Sequence, residues 1–268
     1  MNQIRLLNSV IDNLTLLELL EVLRYGGTVF TPNVDHLMKM QRNQDFFRAY
    51  QVANYRVCDS QLLIYIARFL GTPIRQKISG SDLFPAFYRY YHADTSMTIF
   101  LMGAAEGVAH KARTLINQKV QREMVVGCYS PPFGFEHDPA ECQAMIDRVN
   151  RSGATVLALG VGAPKQEQWI AQYRDQMPCV KVFLAIGATI DFEAGSVQRS
   201  PRWMSQVGLE WVYRLICEPK RLWRRYLGDA LPFFTLVLKQ RFRLYRSPWR
   251  LENGQDVLKY QETLVKHY

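Results

Sequence analysis

Short apolar runs alternate with longer amphipathic segments along most of the chain. The apolar runs have the length of buried strands, and they cover residues 28–31, 55–58, 98–102, 124–128, 155–159 and 180–186. The segments between them predict helices over residues 15–25, 34–50 (as one or two helices), 62–70, 81–92, 103–120 and 139–151, with another beginning at Pro164. The first of these helices opens with a capping box, because Thr15 is followed three residues later by Glu18.

Strands that alternate with helices of this length predict an α/β fold. We expect a Rossmann-like, parallel-rich sheet flanked by helices, formed by residues 1–198. Ligands of such sheets bind at the carboxyl ends of the strands. The residues that fall at these ends and could carry chemistry are Thr31, Asn33, Asp59, Gly103, the stretch 160–167 and Asp191.

Residues 199–268 follow a different pattern and predict a helical appendage without strands. Between Arg199 and Arg250 there are twelve Lys or Arg and three Asp or Glu, and this balance of +9 equals the formal net charge of the whole 268-residue chain. After Pro219, apolar and basic residues occupy opposite halves of a helix, and Pro232 is expected to interrupt it before a second segment over residues 233–246.

Three interpretations of this basic, aromatic appendage are open. The charges could be simply solvated, the surface could bind nucleic acid, or the apolar half could lie on an anionic membrane. A continuous aliphatic face favours the membrane, because a platform for stacking bases does not need one. The same apolar face could instead join subunits of a homo-oligomer.

Composition excludes several other classes. The five cysteines are odd in number and form no CxxC pair, so neither a disulfide framework nor a zinc site is expected. The amino terminus lacks the features of a signal peptide, and no uncharged run reaches the length of about 18 residues that spans a bilayer. The scattered histidines predict no metal site, and neither a G-x-S-x-G elbow nor a Walker loop is present.

The stretch from Gly160 through Gly162 to Lys165 has three interpretations. It begins like a dinucleotide fingerprint, but Lys165 replaces the third glycine, which argues against a nicotinamide site. A glycine turn that leads into a helix amino terminus also exposes backbone N–H groups, and with the charge of Lys165 it could bind a diphosphate. The third interpretation is a tight turn without a ligand.

Asp59 can be interpreted in two ways. It precedes an apolar helix, where aspartate commonly serves as the N-cap. It could also act as a general base that takes a proton from a hydroxyl group, with Thr31 and Asn33 as polar neighbours. Asn33 or Asp35 could equally cap the next helix. Asp191 and Glu193 form a D-x-E that would be a weak magnesium site.

Four motifs together resemble the WecG/TagA/CpsF family of bacterial glycosyltransferases. They are TPNVDHL followed by Asp59, then LGVGAPKQEQW, then IGATIDFEAGSVQRSPRW, and finally GLEWVYRLICEPKRLWRRY. The resemblance extends to about residue 235. It implies an inverting, metal-independent enzyme without a cofactor that moves a sugar from a UDP-sugar donor to a sugar carried on a polyprenyl diphosphate.

The resemblance also implies roles for individual residues. Asp59 matches the general base and Thr31 the threonine beside it, while Asn33 lies in the same motif. Lys165, Gln166 and Glu167 match the donor-binding PKQE stretch. The residues that match appendage arginines facing the leaving diphosphate are Arg214, Arg221 and Arg225. The appendage is expected to hold the enzyme peripherally on the cytoplasmic face of the inner membrane.

Two positions depart from the family pattern. Ser60 and Ala188 stand where glycine is usual, so we expect either a strained turn or a slightly altered one. The main alternatives to a glycosyltransferase are a nucleotide-dependent oxidoreductase on a similar sheet and a nucleic-acid-binding protein.

Overall fold

The computed structural model describes residues 2–198, 204, 212, 213, 216 and 219–249, with the backbone alone for residues 219–227. Its strands are β1 (Gln3–Leu6), β2 (Ser9–Asp12), β3 (Gly27–Phe30), β4 (Tyr55–Arg56), β5 (Ile99–Gly103), β6 (Val125–Tyr129), β7 (Val156–Gly160) and β8 (Val182–Ala185). Its helices are α1 (Leu16–Leu23), α2 (Val34–Arg42), α3 (Gln44–Gln51), α4 (Gln61–Phe69), α5 (Gly80–Tyr90), α6 (Val108–Val120), α7 (Pro139–Ser152), α8 (Lys165–Tyr173), α9 (Thr189–Glu193) and α10 (Pro219–Arg241).

Local sequence signals set several of these boundaries. Thr15 and Glu18 form the predicted capping box, with reciprocal hydrogen bonds of 3.3 and 2.8 Å at the start of α1. The segment 34–50 divides into α2 and α3 at Asn43, whose side chain accepts a hydrogen bond from the Phe46 amide at 2.9 Å and so caps the second helix.

The six-stranded sheet of the described residues is parallel throughout, with the strand order β4–β3–β8–β7–β5–β6. Alternate strand residues enter two apolar clusters. Phe100 and Leu157 pack against the side formed by α2, α3, α4, α7 and α8, whereas Leu101 and Ala158 pack against α1, α5 and α6. The predicted α/β architecture with helices on both faces is therefore confirmed.

An antiparallel hairpin of β1 and β2, for which the sequence pattern gave no prediction, packs beside β4. Its last residue, Asp12, accepts hydrogen bonds from the Gln3 side chain at 2.8 Å and from the Arg56 amide at 2.7 Å. The side chains of Asp12 and Arg56 are almost completely buried, and the carboxylate lies 3.7 Å from the guanidinium Nε. This pair joins the hairpin to the edge of the sheet.

The helix α10 continues through Pro232, so the predicted interruption was wrong. Tertiary contacts on both sides of the proline stabilise the helix. Phe233 and Val237 are buried in the cluster that contains α2, while Asp229 pairs with Arg42 at 2.7 Å. Burial of this face outweighs the one hydrogen bond that proline removes.

The last turn of α10 and the chain after it are also joined to the body. Gln240 accepts from the Leu7 amide and donates to the Arg5 carbonyl, each at 2.8 Å. Trp249 donates its indole N–H to the Met40 carbonyl at 2.7 Å. The predicted domain boundary after residue 198 adjoins residues outside the described part and stays a prediction, but residues 229–249 pack on the α/β body.

Replacing Asp12 by alanine should lower the free energy of unfolding by about 3–5 kcal/mol, because the buried Arg56 charge would lose its carboxylate. Urea denaturation measures the change. The matched control is Glu123→Ala, which breaks a solvent-exposed ion pair with Arg113 and should cost less than about 1 kcal/mol. Equal losses in the two variants would contradict the structural role of Asp12.

Candidate active site

Two neighbouring strand ends bring the first group of predicted site residues together. The Val57 amide donates to the Phe30 carbonyl and the Asp59 amide donates to the Pro32 carbonyl, both at 3.0 Å. This extends the pairing of β3 with β4 beyond the last strand residues. Thr31 is buried and Asp59 is half-buried at this edge.

Residues other than Asp59 cap the two helices that begin at this edge. Ser60 is the N-cap of α4, and its hydroxyl accepts from the Leu63 amide at 3.4 Å, so the N-cap interpretation of Asp59 was wrong. Asn33 is the N-cap of α2 and accepts from the His36 amide at 3.1 Å. Asp59 therefore stands just before the N-cap residue and does not cap the helix.

The two departures from the family pattern cause no backbone strain. Ser60 has φ −153° and ψ 123°, an extended conformation that any residue adopts, and Ala188 has φ −73° and ψ 14°. Neither position needs glycine in this fold, so the expected strain is absent.

Three carboxyl groups, including that of Asp59, act on the buried side chain of Tyr50. The Tyr50 hydroxyl lies 2.6 Å from Nδ1 of His36, and both side chains are buried. Burial raises the pKa of Tyr50 well above its usual value, and the nearby carboxylates of Glu167, Asp59 and Asp35 raise it further. Tyr50 thus stays a neutral hydrogen-bonding group under three carboxylates.

Glycines pack the ends of β5, β7 and β8 closely together. A Cβ atom on Gly103 would lie 2.3 Å from the Gly160 carbonyl oxygen, and one on Gly160 would lie 2.5 Å from the Gly187 carbonyl oxygen. Backbone rather than side chains therefore forms this part of the edge. By contrast, Gly162 has φ +82° and open space where a Cβ would project.

The turn after Gly162 leads into α8 through a cis peptide bond between Ala163 and Pro164. Pro164 is the N-cap and Lys165 the first helical residue, one position later than predicted. The turn thus presents a helix amino terminus at the carboxyl edge of the sheet, the geometry that binds anions.

The charge of Lys165 is held by the loop that follows β6. Its ammonium forms an ion pair with Glu136 and lies 4.5 Å from the centroid of the Phe133 ring. Burial alone would raise the pKa of Glu136, but the hydrogen bond and charge of Lys165 outweigh it and the pKa is lowered. Sequence analysis missed Glu136 because only the fold brings this loop beside α8.

Gln166 and Glu167 lie inside the protein and not on its surface. Gln166 is 3% exposed and Glu167 is fully buried. Desolvation raises the pKa of Glu167 to about 7. The predicted contact of these two side chains with a donor stays a prediction. In the structure, Gln166 accepts hydrogen bonds from backbone amides, and the two side chains bond to each other.

The two acidic residues of the D-x-E motif, Asp191 and Glu193, lie in different surroundings. Asp191 is half-buried, and burial raises its pKa. Glu193 instead accepts from the Tyr88 hydroxyl at 2.9 Å and pairs with Lys119 at 2.6 Å. Within the part of the chain that the structure describes, no cluster of three or more His, Cys, Asp or Glu could hold a metal ion.

The predicted appendage arginines cannot be placed in this site. Arg214 lies outside the described residues, and so do the side chains of Arg221 and Arg225. Their proposed contact with a leaving diphosphate stays a prediction.

A parallel α/β sheet with a carboxylate, glycine turns and a helix amino terminus at its carboxyl edge has the arrangement of a nucleotide-binding enzyme. The family model described as "Glycosyl transferase WecG/TagA/CpsF family" matches residues 4–247. The chain belongs to this family. The oxidoreductase and nucleic-acid-binding interpretations are set aside.

A relative with an assigned activity is similar over most of the chain. The N-acetylglucosaminyldiphosphoundecaprenol N-acetyl-beta-D-mannosaminyltransferase of Bacillus subtilis (strain 168) is 28% identical over 218 residues, which is 81% of each chain.

Gly160→Ala should lower the free energy of unfolding by about 1–3 kcal/mol, since the new methyl group would collide with the Gly187 carbonyl. The control is Gly228→Ala in α10, where a Cβ meets nothing within 4 Å. It should leave stability unchanged or raise it by up to about 1 kcal/mol. Thermal unfolding compares the two, and a Gly160 variant as stable as the wild type would contradict the close backbone contact.

Proposed function

We propose that this protein is an inverting glycosyltransferase that moves a sugar from a UDP-sugar to a saccharide carried on a polyprenyl diphosphate, in bacterial surface polysaccharide synthesis. The observation that carries the proposal is the half-buried Asp59 at the carboxyl edge of the sheet, held beside the Thr31–Asn33 turn by its own amide. Family membership supports the reaction class.

The reaction is a single displacement. The Asp59 carboxylate takes the proton of an acceptor hydroxyl, and the oxygen forms a new bond to the anomeric carbon of the donor. The bond from that carbon to UDP breaks on the opposite face, and its electron pair leaves with the diphosphate. Inversion at the anomeric carbon follows because one displacement occurs.

The negative charge that develops on the diphosphate needs donors at the opposite side of the site. We assign this role to the backbone N–H groups near residues 160 to 165 that Gln166 does not bind, at a helix amino terminus where the helix dipole favours an anion. Lys165 adds a full charge when its ion pair with Glu136 opens. The appendage residues Arg214, Arg221 and Arg225 complete this group in the proposal, and no metal or cofactor takes part.

The name of the Bacillus relative supplies the class of substrates. That protein transfers N-acetylmannosamine to an N-acetylglucosaminyl-diphosphate lipid. We propose an acceptor of the same kind here, with a donor sugar that is a hexose, an N-acetylmannosamine-type sugar or a uronic acid. A panel of UDP-sugars, each supplied with a synthetic polyprenyl-diphosphate sugar, identifies the pair by release of UDP.

An apolar stripe on α10 supports attachment to an anionic membrane. Leu231, Phe234 and Leu238 follow one another at helical spacing, and between 44% and 77% of each residue is exposed. They lie on a different face of the helix from the buried residues Phe233 and Val237, and the exposed Lys239 and Arg241 follow at the end of the helix. No described helix is both long enough and apolar enough to cross a bilayer.

The stripe continues onto the body. The guanidinium carbon of Arg241 lies 5.9 Å from the centroid of the exposed Phe69 ring at the end of α4. Apolar side chains with basic residues around them match an anionic lipid surface, on which the enzyme would lie peripherally at the cytoplasmic face of the inner membrane.

Asp59→Asn should lower kcat by roughly 10²–10⁴-fold, because the amide cannot take the acceptor proton. The fold and the affinity for UDP should be retained, as measured by circular dichroism and calorimetry. Asp45→Asn, at an exposed residue of α3, serves as the matched control and should keep full turnover. Near-normal turnover of the Asp59 variant would reject this residue as the base.

Leu238→Glu should weaken binding to phosphatidylglycerol vesicles by about tenfold, since a leucine side chain leaves the lipid and a charge replaces it. Flotation of the protein with vesicles measures the loss. Leu17→Glu changes an equally exposed leucine on α1 and should float like the wild type. Unchanged flotation of the Leu238 variant would contradict the assignment of the stripe.

A further inference from the structure

The first turn of α8 contains two polar side chains that the chain buries completely. Gln166 and Glu167 are buried, whereas residues 161–165 of the preceding turn are partly exposed. Burying a carboxyl group costs free energy that an apolar side chain at the same position would not cost. Packing alone therefore does not account for Glu167.

The Gln166 oxygen connects two turns of the site. It accepts hydrogen bonds from the Gly162 amide at 3.3 Å and from the Gly187 amide at 3.1 Å. Gly162 follows β7 and Gly187 follows β8, so one side-chain atom holds the turns after two adjacent strands. These turns form the edge to which we assign the donor diphosphate.

The bridge that Gln166 forms between the Gly162 and Gly187 amides requires one orientation of its side-chain amide. Oε1 must face the two glycine N–H groups and Nε2 must point away from them, because two facing donors repel each other. Nε2 donates to Oε1 of Glu167 at 2.8 Å. A flipped amide would place its oxygen against the Glu167 carboxyl oxygen, so this acceptor selects the orientation that the glycine turns need.

The surroundings of Glu167 leave this acceptor role intact. The charges that act on it come from Lys39 and Asp35 of α2, with opposite effects on its pKa. Oε1 can accept from Nε2 when the carboxyl group is ionised, and it can also do so when the carboxyl group is protonated on Oε2. Oε2 itself is buried and has no hydrogen-bond partner among the described residues.

We propose that Glu167 is a positioning residue that acts through Gln166 to fix the Gly162 and Gly187 turns around the donor diphosphate. The inference rests on the proposed function, because it assigns the diphosphate to these turns. Glu167 itself touches neither substrate.

Exchange of the two residues gives the sharpest test. In Gln166→Glu/Glu167→Gln, the new carboxylate can accept from both glycine amides and from the new amide nitrogen. In Gln166→Glu alone, two buried carboxyl groups adjoin, and they repel each other when both are ionised. We expect the KM for the UDP-sugar to rise by about tenfold or more in Gln166→Glu. In the double variant it should return most of the way to the wild-type value.

Removal of the Glu167 carboxyl group gives a second test. Glu167→Leu should raise the KM for the donor by about tenfold with a smaller effect on kcat, whereas Glu167→Gln, which keeps an acceptor oxygen, should rescue most of the loss. Gln172→Leu replaces an exposed glutamine of the same helix and should change neither constant. The proposal would be overturned if the rise in KM of Gln166→Glu/Glu167→Gln equalled the product of the rises in Gln166→Glu and in Glu167→Gln.

Hydrogen exchange separates this claim from the proposed function. The Gly162 and Gly187 amides should lose protection in Glu167→Leu and keep it in Glu167→Gln, with or without substrate. Unchanged protection in Glu167→Leu, with global destabilisation alone, would overturn the positioning role. A wild-type protein that transfers no sugar from any UDP-sugar would reject the proposed function and leave the exchange result to decide the bridge.

Discussion

The pairing of β3 with β4 beyond their last residues is the constraint on which the site depends. Parallel pairing forces neighbouring carboxyl ends to the same edge, and the hydrogen bond from the Asp59 amide to the Pro32 carbonyl carries that register into the loops. Because Ser60 and Asn33 then cap the two following helices, the Asp59 carboxylate remains at the mouth of the site. A backbone hydrogen bond thus places the proposed base at this edge.

The helix α2 connects this edge to the surface that we assign to the membrane. Its amino terminus begins at Asn33, and its carboxyl-terminal residues Met40 and Arg42 bond to Trp249 and Asp229. A nine-residue helix is about 13 Å long, so a lipid-linked acceptor held by the α10 stripe would approach the carboxylate over a short distance. In our proposal, the buried Gln166–Glu167 pair positions the turns of the other half of the site, to which we assign the donor.

Much of the fold could be predicted from the sequence, and the misses have two causes. Strand length and alternation predicted the parallel sheet, and polar residues after strands predicted which candidate residues lie at its carboxyl edge. The sequence could not show that Ser60 rather than Asp59 caps α4, because both are good N-cap residues one position apart. Nor could it show Lys165 paired with Glu136, or α10 unbroken at Pro232, because both depend on contacts between residues distant in the chain.

The most direct measurement of the central claim is the anomeric configuration of the product. One carboxylate acting as a base allows a single displacement, so the new glycosidic bond must have the configuration opposite to that in the UDP-sugar. Proton NMR coupling constants of the lipid-linked product determine it. Inversion is the predicted result, and retention would contradict the account, because retention requires a covalent or ion-pair intermediate that Asp59 as sole base does not provide.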